Sequence, residues 1–174
     1  MALLAVRNVS VRFGGIVALD DVSFEVGAGQ ICGLIGPNGA GKTTLFNCLS
    51  RLYRFEHGTI EFDGRSIASV PRYRMAELGI GRTFQNLALF RTLTVLENVM
   101  LGTHAVSRGG FVANAFRLPV VKREEQRVLE RAREIGALLG LDAVADTRVA
   151  DLPFGTQKRV ELARAIASNP KLLL

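Results

Sequence analysis

The residues best placed to do chemistry lie in the first third of the chain, at Gly36-Pro37-Asn38-Gly39-Ala40-Gly41-Lys42-Thr43-Thr44. Their spacing fits the phosphate loop, G-x-x-x-x-G-K-[ST], and the residue types explain why. Gly36, Gly39 and Gly41 permit backbone conformations closed to residues with a side chain. Successive N–H groups can then turn inward around phosphate oxygens, with Pro37, Asn38 and Ala40 filling the positions between. Lys42 would reach the β- and γ-phosphates as a point charge, and the Thr43 hydroxyl would ligate Mg²⁺.

Such a loop works only between a strand and a helix. Gln30-Ile31-Cys32-Gly33-Leu34-Ile35 is a short apolar run and predicts a buried strand. Residues 43–51, Thr43-Thr44-Leu45-Phe46-Asn47-Cys48-Leu49-Ser50-Arg51, place apolar residues at helical spacing. The positive end of that helix would face the same anion.

The remaining elements follow from periodicity. Leu4, Val6, Val9 and Val11, then Val22, Phe24 and Val26, predict two strands joined near Gly14-Gly15. Thr59-Ile60-Glu61-Phe62 before Asp63-Gly64 predicts a third, and the three would form a small antiparallel sheet. Val70–Leu78 predicts a helix with Pro71 in its first turn. Residues 79–85 would return to the main sheet. From Val95 to about Leu141 the pattern is mainly helical, interrupted at Arg108-Gly109-Gly110 and Leu118-Pro119. Its longest helix, Lys122–Leu139, puts Val128, Ala132, Ile135 and Leu139 on one face. Gly155 precedes a helix over 157–168, which Asn169-Pro170 stops. Lys171-Leu172-Leu173-Leu174 then begins a further buried strand. This mixture predicts an α/β domain with a helical insertion.

Bulk properties narrow the function classes. The 174 residues suffice for one domain with a proper core. Although 48% are hydrophobic, no apolar run approaches bilayer length. The first residues lack the features of a secretion signal, which makes a cytosolic location the expectation. Cys32 and Cys48 have no metal-ligand spacing and are expected to be buried, reduced thiols. The net charge of +6 raises the question of a nucleic-acid partner. However, the basic residues are scattered, and Glu124, Glu125, Glu130 and Glu134 interleave the arginines of the long helix, as on a solvated face. His57 and His104 are isolated and read as ordinary surface residues. No Asn-Lys-x-Asp guanine reader occurs, which argues against a GTPase.

With these motifs in order, the sequence resembles the nucleotide-binding domains of ABC transporters over its whole length. Residues 36–44 resemble the Walker A segment, Phe84-Gln85-Asn86 the Q-loop, and Leu152-Pro153-Phe154-Gly155-Thr156-Gln157 the ABC signature. Within the family it is most similar to the ATPases of branched-chain amino-acid importers. The segments that carry this likeness are Phe13-Gly14-Gly15-Ile16-Val17-Ala18-Leu19, residues 79–85 and Thr94-Val95-Leu96-Glu97-Asn98-Val99.

The resemblance implies a P-loop NTPase (RecA-like) core, an N-terminal antiparallel β-subdomain and a helical insertion. It implies ATP and Mg²⁺ as ligands, with Phe13 stacked on adenine. Gln85 would contact Mg²⁺ or the attacking water, so that Lys42 and Gln85 are the catalytic candidates and Thr43 and Gln85 the metal candidates. The signature would face ATP held by a second subunit, of the same or another kind. Integral membrane permease subunits would dock near Gln85, and a periplasmic solute-binding protein would deliver the solute. The subunit itself would lie on the cytoplasmic face of the membrane, with no nucleic acid expected. Residues 1–86 would hold the β-subdomain and Walker A core, 87–155 the helical subdomain, and 156–174 the return to the core.

Two departures accompany this likeness. Pro153 replaces the usual signature Ser and offers neither hydroxyl nor N–H, and Thr156 replaces the usual Gln. In addition, Leu172-Leu173-Leu174 resembles the start of the Walker B strand, whose Asp and catalytic Glu would come next and are absent. The expectation is of a C-terminally truncated ATPase whose 174 residues alone do not hydrolyse ATP. The rival reading is a non-transport ABC ATPase acting on DNA or the ribosome.

Overall fold

The first strand's apolar pattern changes parity along its length. Leu4 and Val6 are even, Val9 odd and Val11 odd, so one extra residue must be absorbed between Val6 and Val9 if all four are to share a face. In the computed structural model, which describes residues 2–83, 88–103 and 119–174, all four are buried, and the strand pairing shifts register between Val6 and Val9. Asn8 there adopts a φ of 52°, and its amide donates to Asp21 Oδ1 at 2.7 Å. This is a β-bulge, held by a cross-strand hydrogen bond.

The chain divides into two units, residues 1–75 and 76–174. In the first, β1 (Ala2–Phe13) pairs antiparallel with β2 (Ile16–Gly27) and with β3 (His57–Phe62). β4 (Arg65–Ser66) follows the Asp63-Gly64 turn, giving the order β2-β1-β3-β4. Ile60, Phe62 and Ile67 join the buried set. Arg7 instead bridges Glu25 and Glu61 in the open, the one-side-wet arrangement of an antiparallel sheet. Helix α1 (Lys42–Leu49) buries Leu45, Cys48 and Leu49.

In the second unit, β5 (Ile80–Gly81) pairs in parallel with β6 (Leu172–Leu173). Among the described residues, three helices form its core: α2 (Val95–Gly102), α3 (Pro119–Leu138) and α4 (Phe154–Ala167). Their buried side chains include Val95, Val99, Ala132, Ile135, Val160 and Ala163. A capping box starts α2: Thr94 Oγ1 accepts from Glu97 N, and the Glu97 carboxylate accepts from Thr94 N. These bonds hold the Glu97 carboxyl below its ordinary pKa.

The three N-terminal strands, the helix after the phosphate loop and the α/β class therefore stand as predicted. Several local expectations do not. Gln30–Ile35 is not a strand; Ile31, Leu34, Ile35 and Cys32 are exposed. A central parallel strand takes its backbone partners from neighbouring strands, and among the described residues no strand pairs with this run. Val70–Leu78 is not a continuous α-helix but a 3-10 turn at Arg72–Arg74, with Met75 its one buried large side chain. Without an apolar stripe, so short a segment gains too little from packing to offset helix nucleation. Leu172–Leu173 is a strand but is not fully buried. Gln85, His104 and the break at 108–110 lie outside the described residues.

Candidate functional site

The phosphate loop runs from the end of β2 to the start of α1. Gly39 and Gly41 adopt φ of 84° and 80°, the left-handed region that the motif's glycines were expected to reach. Gly41 also packs directly on β2: a Cβ there would drive into the Ala18 carbonyl oxygen and lie 2.9 Å from Leu19 Cδ2. The loop therefore needs glycine at this position for both conformation and space.

The helix opens immediately after Gly41, which serves as its N-cap without any side-chain cap. Leu45 N already bonds Gly41 O at 2.9 Å. Among the described residues, no acceptor takes the N–H groups of Gly41, Lys42, Thr43 or Thr44. Four adjacent donors at a helix N-terminus, with no acidic residue in the first turn, make a ready anion cradle.

Lys42 Nζ donates to the carbonyls of Gly36 and Pro37, each at 2.6 Å. The ammonium is thus held against the loop it follows. Thr43 is exposed.

Phe13, at the end of β1, is 47% exposed and meets Tyr53 edge-to-face, with ring centroids 5.3 Å apart. Half-exposed aromatic carbon beside the cradle's own sheet offers a stacking face for a flat ring. Tyr53 was not singled out from sequence; a lone aromatic after a helix carries no signal until it touches Phe13.

The predicted signature lies in the second unit. Pro153 is the N-cap of α4, which begins at Phe154, so Gly155 sits inside the first turn and does not precede the helix. Proline's fixed φ suits a helix entry, and Pro153 O accepts from Thr156 N at 2.9 Å and Gln157 N at 3.0 Å. Gln157 Nε2 reaches back to Leu152 O at 2.8 Å. The N–H groups of Phe154 and Gly155 have no acceptor among the described residues. Thr156 Oγ1 accepts from Arg159, whose guanidinium also donates to Leu139 O and Gly140 O at the end of α3.

Asn98 was quoted only as part of a motif, yet it is fully buried. Its side chain accepts from Phe90 N and donates to the carbonyls of Phe90, Leu93 and Thr94. A single amide thereby shapes the entire turn before α2. Nothing in local sequence distinguishes it from a surface Asn on an amphipathic helix.

Comparison with known proteins agrees with this geometry. The ABC transporter family model matches residues 19–174. The chain is 38% identical over 172 residues to the high-affinity branched-chain amino acid transport ATP-binding protein LivG of Salmonella typhimurium, covering 99% of this chain and 68% of that protein. It is 37% identical, with the same coverage, to BraF of Pseudomonas aeruginosa, which carries the same description. Among solved structures, the ADP conformation of MJ1267, an ATP-binding cassette of an ABC transporter, superposes with a TM-score of 0.82 at 33% identity, covering 99% of this chain and 67% of that one.

The chain belongs to the ABC transporter family and carries its ATP-binding cassette. This membership favours an importer ATPase over one directed to DNA or the ribosome.

Proposed function

We propose that this chain is the ATP-binding subunit of an importer for branched-chain or related amino acids. The solute class comes from the relatives LivG and BraF, because an ATP-binding cassette need not touch the cargo. One observation carries the nucleotide reading. Lys42 is fastened across the loop to Gly36 and Pro37 while, among the described residues, the N–H groups of Gly41 to Thr44 have no acceptor.

The residues present fit a triphosphate with Mg²⁺. The cradle's donors match phosphate oxygens, and glycine at position 41 admits what a side chain would exclude. Thr43 would supply a hard oxygen ligand to the cation, and Gln85 a further polar group. Mg²⁺, when bound, would neutralise charge on the phosphate tail. The chain's own contribution is to hold and orient that tail: Lys42 at its end, backbone amides along it, Phe13 against the base.

Residues 152–157 act, in this reading, as the signature that faces nucleotide held by a second ATP-binding subunit, identical or not. Phe154 and Gly155 N–H would offer the donors that Pro153 cannot. Permease subunits in the membrane complete the assembly, the cassette lies on their cytoplasmic face, and a solute-binding protein supplies the cargo. We assign residues 1–86 to the β-subdomain and Walker A core, 87–155 to the helical subdomain, and 156–174 to the return to the core.

Calorimetry tests the reading. Magnesium-dependent binding of ATP, lost in Lys42→Ala, is expected; no binding by the unaltered chain would refute it.

A further inference from the structure

Tyr53 follows the end of α1, and hydrogen bonds to that end fix its place. Ser50 N donates to Phe46 O at 3.1 Å and Arg51 N to Cys48 O at 3.0 Å, closing the last turn. Arg51 then takes a φ of 58°, the left-handed conformation that leads a chain out of a helix. Leu52 N and Tyr53 N both donate to Asn47 O, at 2.8 and 3.1 Å. The Arg51 guanidinium fastens the same turn to Ala68 O and Val70 O. The backbone that carries Tyr53 is therefore tied to the C-terminal end of α1, whose N-terminal end is the anion cradle.

Phe13 sits in a looser setting. It ends β1 at a hairpin tip, paired with Ile16 across Gly14-Gly15. A Cβ at either glycine would meet nothing within 4 Å. At 47% exposure, a ring so placed could turn among several staggered rotamers. Tyr53 removes that freedom. The ring centroids are 5.3 Å apart and the planes cross at 72°, the arrangement in which the positive edge of one ring meets the negative face of another. Among the described residues the Tyr53 hydroxyl has no partner, so the contact belongs to the ring.

We propose that Tyr53 is a positioning residue for base recognition, holding the Phe13 ring in one orientation before a nucleotide arrives. The inference rests on reading Phe13 as the residue against the base. A side chain immobilised in advance gives up less rotamer freedom on binding, which strengthens the complex. Helix α1 then serves both ends of the nucleotide: its first amides take the phosphate tail, and Tyr53 beyond its last turn sets the tilt of the base platform. Substituting Tyr53 should accordingly affect the base and leave the phosphates to Lys42 and its loop.

Calorimetry on the whole chain with two probes, MgATP and magnesium tripolyphosphate, separates base from tail. Tyr53→Ala is expected to weaken MgATP binding about fivefold, the equivalent of one aromatic pair, while tripolyphosphate affinity stays within about twofold. Tyr53→Phe should match the unaltered protein with both probes, because it keeps the ring. In a Phe13→Ala background, Tyr53→Ala should bring no further loss, the mark of one residue acting through another. Unchanged MgATP affinity in Tyr53→Ala overturns the proposal, and so does an equal loss for both probes. An equal loss with and without Phe13 also overturns it, since Tyr53 would then touch the base itself. If the alanine variant fails to fold, Tyr53→Leu against Tyr53→Phe decides on the same readouts. Phe13→Ala binding MgATP as tightly as the unaltered protein would instead refute the reading of Phe13 on which the proposal stands.

Discussion

The ammonium of Lys42 donates to the carbonyl oxygen of Gly36, six residues earlier, and closes the phosphate loop on itself. The same nitrogen bonds Pro37 O, so one side chain both shapes the loop and supplies its positive charge. Lys42→Ala is expected to weaken MgATP binding at least tenfold, since a hydrogen bond to a charged group contributes about 1.5–3 kcal/mol. Isothermal calorimetry on the two proteins checks this; equal affinities would remove Lys42 from the site.

Gly41 carries a separate burden. Its φ of 80° and the absence of room for a Cβ beside Ala18 O and Leu19 act together. Gly41→Ala should cost about 2–4 kcal/mol, combining the left-handed penalty with overpacking. Gly39→Ala shares the left-handed φ but meets nothing within 4 Å, and should cost about 1–2 kcal/mol. Urea unfolding of both variants measures the difference, and a Gly41 variant no weaker than the Gly39 one would contradict the packing at β2.

Asn98 is the buried amide on which the turn before α2 depends. Asn98→Ala leaves Phe90 N without its acceptor and takes one of the donors from the carbonyls of Phe90, Leu93 and Thr94, and should destabilise the protein by about 1–3 kcal/mol. Thermal unfolding reports the loss, and hydrogen exchange should quicken at Phe90. A neutral result would mean that the turn holds its shape without the amide.

The two thiols should behave in opposite ways. Burial raises the Cys48 pKa to about 11, with nearby Arg51 opposing it, whereas Cys32 is exposed. At pH 8 a disulfide reagent should label Cys32 promptly and reach Cys48 only after unfolding. The folded state holds Cys48's proton more tightly than the unfolded chain, whose thiol titrates near pH 8.5. Its share of stability is therefore present below about pH 8.5 and lost as pH rises towards 11. Prompt double labelling of the native protein, with Cys32→Ser leaving one fast thiol, would show that Cys48 is not enclosed.

Much of this architecture could be read directly from residue types. The apolar residues of β1 and β2 were legible as strands, whereas the bulge at Asn8 emerged only from the pairing register in the structure. The phosphate loop was equally legible, since its glycines, lysine and threonines interact within a few residues of one another. The run Gln30–Ile35 misled for the opposite reason. Its apolar character describes the environment of a central strand, but a strand exists only where neighbours offer it hydrogen bonds. Val70–Leu78 misled because helical propensity without a buried stripe does not hold a short helix.

Local order along the chain determined the class of protein and the anion cradle, because both depend on residues close in sequence and on periodicities of two or 3.6 residues. Tertiary structure alone decided which amide pins the turn before α2, that Tyr53 meets Phe13, and that Arg164 grips a carbonyl 76 positions away. Those relationships depend on distances between remote segments, and no short window of sequence encodes a distance it does not span.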